Sequence, residues 1–256
     1  MAHSALIARL GADPRFASLH RSLAVYYGDT DRDIAMDALY ARFVGKSGLA
    51  FDIGSHVGDR IASFRRLGAR VVALEPQPLC FQVLSAIYCC DGAVSLLNAA
   101  CGPQAGELTL HVNSANPTVT TASSAFINAA DGAGGWEGQV WDADISVPVT
   151  TLDTLIAKHG VPQFVKIDVE GFEADVLAGL TRALPALSFE FTTIQRDVAC
   201  QCLDRLAALG RYGFDIALGE SQRLTFDRWI TADEMRAHIN ALPHAANSGD
   251  VYAVLV

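Results

Sequence analysis

From residue 49 onward the chain alternates short, almost continuously apolar runs with amphipathic stretches, and this alternation confines it to few folds. The runs are 49–53, 70–74, 94–97, 164–169, 187–191, 213–218 and 251–256. A run that is apolar on both pleat faces belongs in a sheet covered on both sides, the usual condition of parallel strands. The stretch 59–67 places Ile61, Phe64 and Leu67 on one helical face. Phe172, Val176, Leu180 and Leu184 recur every fourth residue and predict a helix over 172–184. Strands and helices in alternation predict a doubly wound α/β domain with helices on both faces of a mostly parallel sheet.

Composition narrows the partners. The 256 residues are 51% hydrophobic and 18% charged, enough apolar material for a sizeable core. Nineteen basic residues stand against 28 acidic ones, a net charge of -9, which argues against nucleic acid or anionic lipid as a general partner. No apolar run is long enough to span a bilayer. Arg9, Asp13, Pro14 and Arg15 interrupt the start of the chain, so a secretory signal is not expected and a cytoplasmic location is. The six cysteines form no C-x-x-C pair, which favours reduced thiols over a zinc or redox motif.

Residues 1–47 read as a helical extension and 48–256 as the main domain. The rhythm breaks at about 103–150, an insertion with one hairpin strand at 107–112 and a polar, glycine-rich piece. Trp136 and Trp141 follow that piece; a lid over a ligand and a pair of core anchors both fit them. Gly45-Lys46-Ser47 resembles the end of a phosphate-binding P-loop. However, Tyr40 stands where that motif needs glycine, and the segment precedes a strand instead of following one.

Three stretches carry chemistry. In Phe51-Asp-Ile-Gly-Ser-His-Val-Gly58 a strand ends in a glycine-flanked turn that opens a helix, whose first N–H groups are free. The spacing is G-x-x-x-G, not the G-x-G-x-x-G that wraps a dinucleotide, so a nicotinamide enzyme is disfavoured. Glu75 ends the next strand, 23 residues after Asp52, where an acid accepts hydrogen bonds from both ribose hydroxyls of a nucleoside. In Phe164-Val-Lys-Ile-Asp-Val-Glu-Gly-Phe-Glu173 and Ser188-Phe-Glu-Phe-Thr192, the acids Asp168, Glu170, Glu173 and Glu190 crowd the carboxyl ends of two buried strands. A general base, a cation site and helix caps all remain open for them. His111 and His159 fit surface or core positions as well as a base.

From about residue 49 to the C-terminus, the chain resembles the FkbM-type methyltransferases, which use S-adenosylmethionine on a seven-stranded Rossmann-like sheet. The resemblance rests on Asp52–Gly58, on Leu74-Glu-Pro-Gln-Pro78, and on Val149-Thr-Thr-Leu-Asp-Thr-Leu155 together with Lys166–Glu173. It implies that Asp52, Gly54, Ser55, His56 and Gly58 shape the methionine end of the cofactor site. It further implies that Glu75 holds the ribose, that Asn98 lies near the adenine, and that Asp168 adjoins the cofactor. Where the family commonly has Gly-Ala-Asn, this chain has Gly54-Ser55-His56. Family members usually methylate hydroxyls of sugars, glycans or other natural products. Asp168, Glu190 and Glu170 are then the candidates for removing the acceptor proton, with Asp168 and Glu190 also candidates for a divalent cation. A non-catalytic nucleoside-binding or scaffold protein on the same fold is the alternative.

Overall fold

The computed structural model describes residues 2–256. Among the described residues ten strands form two sheets: β1 (Leu49–Ile53), β2 (Arg70–Leu74), β3 (Val94–Leu97), β4 (Ala100–Cys101), β5 (Gly106–Val112), β6 (Ala143–Thr150), β7 (Phe164–Ile167), β8 (Ala186–Thr192), β9 (Tyr212–Leu218) and β10 (Ser248–Leu255). The larger sheet has seven strands in the order β3-β2-β1-β7-β8-β10-β9. The first five pair in parallel, and β10 runs antiparallel to both β8 and β9. This is the seven-stranded, mostly parallel Rossmann-like sheet that the resemblance implied.

Helices cover both faces, as the doubly apolar strands require. They are α1 (Ala2–Leu10), α2 (His20–Tyr27), α3 (Thr30–Tyr40), α4 (Asp59–Arg66), α5 (Pro78–Tyr88), α6 (Ser124–Ala130), α7 (Leu152–His159), α8 (Glu173–Ala178), α9 (Arg196–Leu209) and α10 (Ala232–Ala241). One core packs Phe51, Ile53, Val165 and Phe189 against residues of α7 to α10, such as Leu155, Leu177, Leu203 and Ile239. The opposite core sets Ala50, Val71, Phe164 and Tyr252 against Tyr40 of α3, Phe64 of α4 and Leu84 of α5. Among the described residues no helix is long and apolar enough to cross a membrane.

Two features differ from the sequence expectation. The helix expected over 172–184 stops at Ala178. Gly179 is its C-cap, and glycine is needed there because a Cβ would lie 2.3 Å from the Gly102 carbonyl oxygen. Leu180 and Leu184 are buried nonetheless, so the fourfold spacing recorded burial, not helix. The insertion, together with β4 just ahead of it, forms a second sheet in the order β4-β6-β5, in which the expected strand at 107–112 pairs antiparallel with β6. β6, the central strand, gives no continuous apolar signal, because Asp144, Ser146 and Pro148 alternate with its apolar residues.

The chain builds outward from β1 through β2 to β3, then returns to place β7 on the other side of β1. Such a reversal leaves a crevice outside the carboxyl ends of the strands, where open α/β sheets bind ligands.

Candidate active site

A cavity of about 330 Å³ opens at that reversal, lined from the ends of β1, β2, β7 and β8 and by residues of the insertion. Its floor is the turn after β1. Gly54 has φ +84°, and a Cβ on it would lie 1.7 Å from the Asp168 carbonyl oxygen. Glycine therefore serves the backbone angle and also the close approach of β1 to β7. The N–H groups of Gly54 and Ser55 both donate to the Leu74 carbonyl, and Ser55 Oγ donates to the Asp52 carbonyl at 2.9 Å.

Glu75 stands at the tip of β2, buried, its carboxylate accepting the His56 N–H at 2.7 Å and the Gln77 N–H at 2.8 Å. Burial pushes its pKa up to about 8 despite those two bonds. Asp52 is buried on the cavity wall with neither carboxylate oxygen hydrogen-bonded, and burial raises it to about 7. The His56 ring also lines the cavity, with Nδ1 3.5 Å from Cys80 Sγ and Nε2 3.4 Å from Thr118 Oγ1. Burial lowers its pKa to about 4, which keeps the ring neutral.

Gly58 and Asn98 do not join the lining. Gly58 has φ +88°, and a side chain there would meet Leu84 and Tyr88 of α5 at 2.6 and 2.8 Å, so glycine is needed there for helix packing. The Asn98 amide donates to the carbonyls of Glu75 and Pro76, tying the end of β3 to that of β2 behind the site.

At the far end, Asp168, Glu170 and Glu190 bring one oxygen each within 4.8 Å of one another, the one such acidic group found among the described residues. Glu170 is held in the left-handed region at φ +55°, with its carbonyl accepting Thr121 Oγ1 from the insertion at 2.6 Å. Glu173 turns away: it accepts the N–H groups of Val169 and Gly171 at 3.0 and 3.2 Å, so it braces the turn after β7. Sequence reasoning passed over Lys166, which is buried with Nζ 3.1 Å from Asp168 Oδ2 and 2.5 Å from Asp250 Oδ1. A cation inside an otherwise apolar strand was the available signal. Burial opposes ionisation of Asp168, but Lys166 and a hydrogen bond with Glu190 hold its carboxyl below its ordinary value. Burial and the charge of Asp168 push Glu190 and Glu170 well up. This end of the cavity therefore suits proton transfer, or a shared cation, beside a fixed anion.

The two tryptophans divide the roles weighed for them. Trp141 is an anchor, its Nε1 donating to the Val119 carbonyl at 2.8 Å. Trp136 lines the cavity, edge-on to Phe126 with centroids 5.0 Å apart, and its buried Nε1 has no hydrogen-bond partner. His111 pairs with Asp144 at 2.6 Å, and neither it nor His159 lines the cavity.

A family profile for the methyltransferase FkbM domain matches residues 52–216. Among solved structures, a precorrin-6y C5,15-methyltransferase from Geobacter metallireducens is 13% identical, aligning 88% of this chain with 87% of that one at a TM-score of 0.45. A TehB-like SAM-dependent methyltransferase from Corynebacterium glutamicum is 10% identical over 94% of this chain and 96% of that one, with a TM-score of 0.46. A ribosomal protein L11 methylase from Lactobacillus delbrueckii subsp. bulgaricus is 12% identical over 90% and 81%, with a TM-score of 0.43. No curated protein matches the chain.

Proposed function

Because the chain belongs to the FkbM methyltransferase family, we propose that it moves a methyl group from S-adenosylmethionine to a hydroxyl of a sugar, glycan or other natural product. The observation that supports this reading is one cavity lined both by the buried strand-end acid Glu75 and by the carboxylate cluster Asp168, Glu170 and Glu190. The residues present fit the cofactor. Each Glu75 oxygen uses one acceptor site on a backbone N–H and retains another for a ribose hydroxyl. Asp52, a buried carboxyl on the same cavity, suits a cationic ligand.

When bound, the cofactor supplies an electrophilic methyl on a sulfonium whose displacement leaves a neutral thioether. The protein's share is alignment and proton removal. The Gly54 turn and Glu75 orient the cofactor, while Trp136 and the insertion wall hold the acceptor. A sugar hydroxyl is a weak acid, so one carboxylate of the cluster accepts its proton as the new C–O bond forms. Asp168, kept anionic by Lys166, is the first candidate, with Glu190 and Glu170 beside it. The same three side chains also fit a divalent cation that would acidify the hydroxyl.

The test is incubation with labelled S-adenosylmethionine and a panel of hydroxylated acceptors, alongside calorimetry with S-adenosylhomocysteine. Label on a hydroxyl oxygen supports the reading. Cofactor binding without transfer to any acceptor would favour a binding module on this fold, and absence of cofactor binding would overturn the assignment of the cavity.

A further inference from the structure

Residues ahead of the span matched by the family profile also reach the cavity. α2 places Tyr26 on the cavity wall, its ring edge-on to His56 with centroids 6.0 Å apart. Arg32, in the first turn of α3, fixes this ring from behind, its guanidinium carbon 4.9 Å from the ring centroid. Arg32 Nη2 in turn donates to Asp59 Oδ2 and Glu220 Oε2, each at 2.7 Å. Asp59 opens α4 and Glu220 follows β9, and both line the cavity.

Two more contacts seat α2. Tyr27 Oη donates to the carbonyl of Val57 inside the turn after β1. Ser22 Oγ lies 3.3 Å from Thr118 Oγ1, the hydroxyl that also approaches His56 from the insertion. The N-terminal helices and the insertion thus meet above the same histidine.

We propose that Tyr26 is a cofactor-binding residue, its ring forming the wall that covers the methionine end of S-adenosylmethionine. This rests on the reading of the cavity given above. The turn beneath the ring is the one assigned to the methionine end, and the ring is held there by Arg32, itself tied to two carboxylates of the same cavity. Burial, with Glu220 and Asp59 nearby, pushes the phenol pKa well up, so Tyr26 serves as a neutral aromatic wall and hydroxyl, not as a base. The cofactor site is therefore incomplete in a chain trimmed to the family span.

Calorimetry with S-adenosylhomocysteine tests this on the full chain. Tyr26→Ala should weaken binding at least about tenfold, and Tyr26→Phe, which keeps the ring, by no more than about threefold. Val25→Ala, on the exposed side of the same helix, should change nothing. If Tyr26→Ala fails to fold, Tyr26→Leu takes its place and should still weaken binding about fivefold or more. Wild-type binding with no loss in these variants overturns the role of Tyr26 and leaves the cofactor assignment standing. Absence of wild-type binding overturns the assignment itself.

Discussion

The two ends of the cavity are built by different means. The end proposed for the nucleoside is built on one strand–turn–helix and the tip of the next strand, with Asp52 and Glu75 only 23 residues apart. The end proposed for the acceptor is lined from β7, β8, the insertion and the loop before β10, segments far apart in the chain. A site made from backbone turns tolerates little change at a few positions, whereas a site made from converging side chains spreads its function over many. The substitutions below probe that contrast, beginning with the largest expected effect.

Gly54→Val should abolish cofactor binding and lower stability by about 3 kcal/mol or more, since it adds a branched side chain at a positive φ and against backbone. With the Asp168 carbonyl 1.7 Å from any Cβ, β1 and β7 would have to separate. Thermal unfolding and calorimetry measure both effects. Gly58→Ala is the comparison: its Cβ meets side chains of α5, not backbone, so stability should fall while the variant still binds cofactor. A Gly54→Val protein that binds normally would show that the turn is not under this constraint.

At the other end, Asp168→Asn keeps the shape and removes the charge. It should lower kcat about 10²- to 10⁴-fold while changing S-adenosylhomocysteine affinity far less. Chelator treatment separates the two versions of the chemistry: activity lost and then regained with added metal identifies a cation, and unchanged activity identifies a carboxylate base. Normal turnover in both Asp168→Asn and Glu190→Gln would make this rim structural and place the base elsewhere.

The contrast also explains what was legible in the sequence. Asp52, Gly54 and Glu75 all line the cavity, and their signal in the sequence is local: a glycine spacing, a strand end and an acid at a set interval. The sheet was legible for the same reason, since a doubly covered strand is apolar throughout. A glycine at a helix start, such as Gly58, fits ligand approach and helix packing alike, and the packing demand shows only in the positions of Leu84 and Tyr88. Tyr26, Lys166 and Trp136 owe their roles to contacts across the fold. No spacing in the sequence tells Trp136, on the cavity wall, from Trp141, tied to Val119.

Glu75→Ala should weaken cofactor binding by about 1–3 kcal/mol, the scale of a lost charge-assisted hydrogen-bond pair, in a variant that still folds. Unchanged affinity by calorimetry would remove Glu75 from the site. Deleting 131–135, whose Gly134 carbonyl lies 2.9 Å from His244 Nε2, should spare cofactor affinity and lower turnover about tenfold. Joint loss of folding and binding would instead make that loop part of the core.

The smallest effect expected is a proton. Burial raises Glu75 to about 8 and Asp52 to about 7, both above the ordinary carboxylate range. A carboxyl whose folded-state pKa is raised contributes stability that is present below its unfolded pKa and lost as pH rises through the folded one. These two groups therefore make the free protein less stable between about pH 5 and 8, and Glu75→Gln should flatten the fall of Tm over that window. Cofactor binding runs the other way. Ribose hydroxyls donate to the ionised carboxylate, so binding near pH 7 should release part of a proton from Glu75, and affinity should rise toward pH 8 by less than about tenfold per pH unit. Calorimetry in phosphate and in Tris, whose ionisation enthalpies differ, reads that proton directly. A binding enthalpy independent of buffer would mean that Glu75 keeps its proton and does not accept from both ribose hydroxyls. The nucleoside end would then depend on the backbone turn alone, and the contrast between the two ends would be sharper still.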